Sequence, residues 1–168
     1  MKIETINTVQ RQILVNQFRI LAKLENDQSY ETKAKILENG YSGRYWEVFK
    51  GLSEEVPASI CQETEEILNI FRVLRNRIAE LSDQEKAGLN LRKISFDGFD
   101  ANHSENHYDY FIFMVEELGL WEEFKNGPFN SHSITSIDKY RRIVALFKKL
   151  GGYQSFSKSD LASLIDQL

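Results

Sequence analysis

The chain has 168 residues, 42% of them hydrophobic, 27% charged and 12% aromatic, with eleven phenylalanines. Such a composition excludes disorder, and a chain of this length buries about 70% of its unfolded surface without help from disulfides or metals. The formal net charge of −4 argues against a nucleic-acid-binding domain, in which basic residues supply most of the non-specific affinity. Cys61 is the one cysteine, so no intramolecular disulfide framework exists. It lies beside an apolar helix face with no local base, which reads as a small structural thiol. The first residues lack the apolar run of a signal peptide, and no stretch reaches the length of a membrane span. These features point to the cytoplasm.

Ile6 to Leu24 carries apolar residues at Ile6, Val9, Ile13, Ile20 and Leu24, a helical period. Gln10 and Gln17 fall inside this stripe, and two amides there are expected to satisfy backbone groups of a neighbouring element. A second helix is predicted from Asp27, its amino cap, to Asn39. Gly40 takes the left-handed position after it, and Tyr41 folds back. A short aromatic helix holds Tyr45, Trp46 and Phe49 and ends at Gly51. The clearest helix runs from Pro57 to Leu81, with Ile60, Thr64, Ile67, Phe71, Leu74 and Ile78 on one face. Its early Glu63, Glu65 and Glu66 and late Arg72, Arg75 and Arg77 suit the helix dipole.

Ser82 to Ala87 makes one turn closed by Gly88, and residues 89–96 read as an ordered loop. Phe96-Asp97-Gly98-Phe99-Asp100 is a tight turn with two buried aromatics. It leads into a helix over Glu105 to Leu118, capped by Asp100 or Asn102, with Tyr108, Phe111, Val115 and Leu118 inward. Asn102 and Glu105 have capping-box spacing. After an aromatic turn (Leu120 to Phe124) and a polar loop, a helix over Ser136 to Leu150 points Ile137, Tyr140, Val144 and Phe147 inward. Ser157 and Asp160 open a last helix, Lys158 to Gln167. The fold class is therefore all-α: one domain over residues 1–168, an irregular bundle of about six to eight helices with an ordered non-helical connection around 89–100.

Several of these segments, taken together, resemble the YfbU family. They are Gln10-Arg11-x-Ile13-Leu14-x-Asn16-Gln17, Ile36-Leu37-Glu38-Asn39-Gly40-Tyr41 and Phe96-Asp97-Gly98-Phe99-Asp100. Further on come Phe113-Met114-Val115, Phe129-Asn130-Ser131 and Lys139-Tyr140-Arg141-Arg142, in family order across residues 8–166. The resemblance implies a bacterial, cytoplasmic, mostly helical protein that self-associates. It supplies no catalytic residues and implies no cofactor.

The chemistry-bearing groups are sparse. His103 and His107, four apart on a helix, share a face as metal ligands would, but the adjoining glutamate of the zincin pattern is absent. A polar, capped first turn is the simpler reading. Asp97 and Asp100, with Asn102 and Glu105, form the candidate functional surface: a carboxylate pair for acid–base work or a cation, against the simpler reading of an Asx-stabilised turn. His132 between two serines lacks partners converging from other segments. Lys139, Arg141, Arg142, Lys148 and Lys149 form a basic run that could touch a nucleic-acid backbone but reads first as a solvated face. The leading expectation is a non-catalytic interaction or regulatory module, a homo-oligomer or a binder of another protein. Trp46, Phe49, Trp121, Phe124 and Phe129 would either anchor its interface or fill its core. The alternative is a metal- or small-ligand-binding, hydrolase-like enzyme around residues 97–107, and the third is nucleic-acid binding through the basic run.

Overall fold

The computed structural model describes residues 6–102, 106–125 and 137–168. Among these there are nine α-helical segments and no strand. They pack as two compact units, residues 1–55 and 56–168, each with its own buried core.

The first unit is a helical hairpin with a short third helix. α1 (Thr8–Leu24) opens with a capping box, in which Asn7 accepts from the Gln10 amide and the Gln10 side chain accepts from the Asn7 amide. α2 (Gln28–Glu38) is capped by Asp27, as the sequence predicts. It ends in a Schellman motif, with Tyr41 N–H donating to Ile36 O and Gly40 N–H to Leu37 O. Gly40 sits at φ +67°, where a side chain would be strained and a Cβ would press on the Arg11 guanidinium. Tyr41 itself stays exposed. α3 (Tyr45–Phe49) closes the unit with Tyr45 and Val48 buried.

The core of this unit is small: Val15, Ala34, Ile36, Leu37, Tyr45 and Val48, with Ile6, Leu14, Phe18 and Phe49 packed on it. The face of α1 that meets it carries Leu14, Val15 and Phe18. The stripe expected to be inward points out instead, with Val9, Ile13, Ile20 and Leu24 between 52% and 76% exposed. The hydrophobic period was real, but the helix has two apolar faces, and the one that packs on the core carries Leu14, Val15 and Phe18. Gln10 and Gln17 are correspondingly exposed. Gln10 bonds back to its own helix cap rather than to a neighbouring element.

The second unit is built around α4 (Ala58–Ala79), whose Thr64, Ile67, Leu68, Ile70, Phe71 and Leu74 are buried. Thr64 donates its hydroxyl to Ile60 O, which removes the cost of burying it. α5 (Asp83–Ala87) has a capping box between Ser82 and Glu85. The segment after it holds a single 3-10 turn, Leu91–Ile94. α6 (His107–Ile112) starts after Asn106, which adopts the left-handed conformation, so neither Asp100 nor Asn102 caps it. It widens into a π-type turn, Phe113–Glu117, in which Leu118 N–H donates to Phe113 O. The extra residue per turn rotates the face: Phe111, Met114 and Val115 are buried, while Leu118, expected inside, is exposed.

α7 (Ile137–Lys149) buries Ile137, Tyr140, Ile143 and Phe147. A short α8 (Gly152–Ser155) leads to α9 (Lys158–Gln167), capped by the Ser157–Asp160 box read from the sequence. Trp121 and Phe124 lie in the core, so these two aromatics fill space rather than anchor an interface. Phe49 packs on the core of the first unit, and Trp46 is exposed. Phe129 is outside the described residues.

Candidate functional site

One buried side chain clamps the turn over residues 96–100 from both sides of Gly98. Tyr140, buried on α7, donates its hydroxyl to Gly98 O at 2.7 Å and accepts from the Asp97 N–H at 3.0 Å. Burial pushes the Tyr140 phenol well above its ordinary value, so it remains a donor at any physiological pH. Gly98, at φ +84°, lets the chain reverse here. Phe96 then enters an aromatic cluster with Phe71, Phe99, Phe111, Phe124 and Tyr140, with centroids 5.0 to 5.6 Å from its own.

The two carboxylates of this turn have different partners. Asp97 accepts from the Ser95 hydroxyl at 2.8 Å and from Lys139 Nζ at 2.9 Å, which ties the turn to α7. Asp100 accepts from the Asn102 N–H at 2.9 Å and from its side-chain amide at 3.3 Å, an Asx turn. Thus Asp100 and Asn102 are brought together, while Asp97 is drawn to a lysine. Glu105 and His103 lie outside the described residues, as does His132 with its flanking serines.

His107 is buried, with Nε2 2.9 Å from Glu63 Oε2 and its ring stacked on Phe99 at 5.7 Å. Arg141 donates to both oxygens of the same glutamate, Nε at 2.7 Å and Nη2 at 2.9 Å. The Arg141 guanidinium, and after it the His107 hydrogen bond, hold the Glu63 carboxyl at about 2 against the opposing effect of burial. The cluster joins α4, α6 and α7. Sequence reasoning placed Glu63 among dipole-complementing residues only. The usable signal was spacing, because Glu63 precedes Ile67, Ile70 and Leu74 on the buried side of α4, where a charge needs partners.

A shallow open groove of about 430 Å³ runs along α4. Four of its polar side chains are bound within the protein: Glu65 by Tyr110 at 2.6 Å, Glu66 by Lys148 at 2.6 Å, Asn69 by Trp121 at 3.1 Å and Arg72 by Glu123. The Tyr110 phenol is pushed up to about 12, chiefly by its bond to Glu65. Four of the five residues of the basic run are tied down in the same way. Lys139 meets Asp97, Arg141 meets Glu63, Arg142 donates to Gln167 O and Lys148 meets Glu66. Among the described residues no three histidine, cysteine or carboxylate side chains gather as a metal site would require, and no helix is long and apolar enough to cross a membrane.

The YfbU domain matches this sequence over residues 4–166, spanning both packing units and the turn. The chain belongs to the YfbU family. It is also similar to the UPF0304 protein MJECS11 of Methanocaldococcus jannaschii, with 30% identity over 148 residues, 85% of this chain and 88% of the relative. The YfbU match takes in α1 as well as the Tyr140-clamped turn, so both the exposed apolar stripe and the turn belong to the matched domain. The carboxylates of the turn are bonded within the protein, whereas the α1 stripe of this YfbU chain lines up four apolar side chains that face water.

Proposed function

We propose that this YfbU-family chain is a cytoplasmic protein-interaction module that self-associates and has no catalytic centre of its own. The observation that carries this reading is the outward stripe of α1, where Val9, Ile13, Ile20 and Leu24 are exposed on a helix held to α2 by its opposite face. Scattered apolar residues on a surface need no explanation, but four aligned on one face of a helix mark a site made to be covered. The polar groups around the 96–100 turn support the same reading from the other direction. Asp97, Lys139, Glu63 and Arg141 are spent on one another, as in a scaffold, instead of converging on a cavity.

The molar mass of the purified protein in solution, followed by light scattering over a wide range of concentration, tests this. A multiple of 19.6 kDa that falls towards one chain on dilution is expected. A mass of one chain at every concentration contradicts it. A native mass spectrum that retained a metal ion or small molecule would favour the enzyme reading around residues 97–107.

A further inference from the structure

We infer that the α1 stripe is covered by the same stripe of a second copy of this chain, with the two helices antiparallel about a two-fold axis that passes between Asn16 and Gln17. This rests on the self-association reading above and specifies its geometry.

Val9 and Leu24 are equally far from the Asn16–Gln17 peptide, and so are Ile13 and Ile20. At about 100° per residue, Ile13 and Ile20 lie near the middle of the stripe, Val9 and Leu24 slightly to either side, and Asn16 and Gln17 on its two margins. The pattern therefore reads the same from either end of the helix. An isologous interface requires this property, since the same patch must match itself after a half-turn. A partner of different sequence would place no such demand on α1. Antiparallel pairing sets Val9 of one copy against Leu24 of the other and Ile13 against Ile20, so every exposed apolar side chain of the helix meets another. A parallel pair would bring the stripe into register only residue on itself and would align the helix dipoles unfavourably.

Charge points the same way. α1 carries three charged side chains, Arg11, Arg19 and Lys23. Arg11 is turned to Leu37 O at 3.4 Å and Arg19 to Glu38 at 2.7 Å, both on α2. Lys23, on the same margin as Asn16, would lie beside the uncharged Val9–Gln12 end of the other copy, roughly 20 Å from its own counterpart. A surface that meets itself brings like charges together wherever it carries any, and this one brings none. At the centre, each Asn16 would lie beside the other. A primary amide is both donor and acceptor, so the pair can bond to itself, and a polar residue in an apolar seam is the usual device for fixing register. Gln12 already orients the Asn16 side chain, donating to its oxygen at 3.0 Å.

Two cysteine variants in a Cys61→Ser background of the full chain distinguish the outcomes. Asn16→Cys places the two thiols next to the axis, where an added oxidant joins them. Lys23→Cys places them roughly 20 Å apart along the helices, beyond the ~7 Å between Cα atoms that a disulfide tolerates. Both positions are exposed, so neither change disturbs a core. Covalent dimer from Asn16→Cys and none from Lys23→Cys is the expected result. Covalent dimer from both overturns the antiparallel arrangement in favour of a parallel one. If neither cross-links while the uncut mass is still a multiple of one chain, the α1 seam is wrong and self-association stands. If the mass is that of one chain throughout, both the seam and the self-association reading fail, and the stripe is covered by another protein or another part of this chain.

Discussion

The two packing units differ in how much they bury, although the larger also leaves Phe113, Leu118, Leu120 and Tyr153 exposed. Residues 56–168 bury a broad core, from Ile67 to Ile165, and pair their buried or half-buried polar groups one with another: His107 with Glu63, Tyr140 with Gly98, Trp121 with Asn69. Residues 6–55 bury six core residues and leave Val9, Ile13, Ile20, Leu24, Trp46 and Leu52 in water. The larger unit has the build of a self-sufficient fold. The smaller one is a helical hairpin whose longest helix leaves Val9, Ile13, Ile20 and Leu24 exposed, and a hairpin of this size gains most by being covered. Interior chemistry in the larger unit serves stability, and the exterior apolarity of α1 is what the proposed association would use.

The comparison breaks most readily at Trp121. Its ring is buried, bonded to Asn69 and stacked under the Arg72 guanidinium at 5.5 Å. Trp121→Ala is expected to cost about 3–5 kcal/mol of unfolding free energy in urea while the solution mass stays that of the wild type wherever the chain stays folded. A change of mass in the folded protein would make Trp121 an interface residue after all.

Glu63 comes next. A carboxyl whose folded value lies near 2, below its ordinary 4.5, contributes stability that is complete above about 4.5 and is lost as pH falls towards 2. The shift corresponds to something on the order of 3 kcal/mol. Urea midpoints of the wild type should therefore fall across that interval, and those of Glu63→Gln should start lower at neutral pH and fall less. Equal acid slopes in the two proteins would show that the Arg141–Glu63–His107 cluster is not a stabilising unit. Tyr140→Phe should cost less, about 1–2 kcal/mol, because it removes one hydroxyl but leaves the Asp97 N–H and Gly98 O without their partner. Smallest of all, Asn7→Ala removes the α1 cap at about 1 kcal/mol and should weaken the first unit's helix by circular dichroism without touching the second.

Much of this architecture was legible in the sequence, and the exceptions share a cause. The caps at Asp27 and Ser157, the Gly40 stop, the long α4 and the turn at Gly98 all depend on residues within a few positions, and each stands where local chemistry placed it. The failures depend on what a helix meets. The direction of α1 could not be read because both its faces are apolar and only α2 decides between them. The loss of Leu118 from the core follows from a π-type turn that no single residue announces. At the candidate surface, Asp100 and Asn102 form the turn that their types suggest, whereas the Asp97–Lys139 pair joins residues 42 apart in sequence. The Glu63 cluster was hidden for the same reason, though a glutamate in an apolar stripe is a visible sign.

The most direct test of the account is the solution mass of Ile13→Gln/Ile20→Gln beside that of the wild type at the same concentrations. Both side chains are more than half exposed, so the double variant should fold with the wild-type helix content. The account predicts twice the 19.6 kDa chain for the wild type and a single chain for the variant. Equal masses for the two proteins would contradict it.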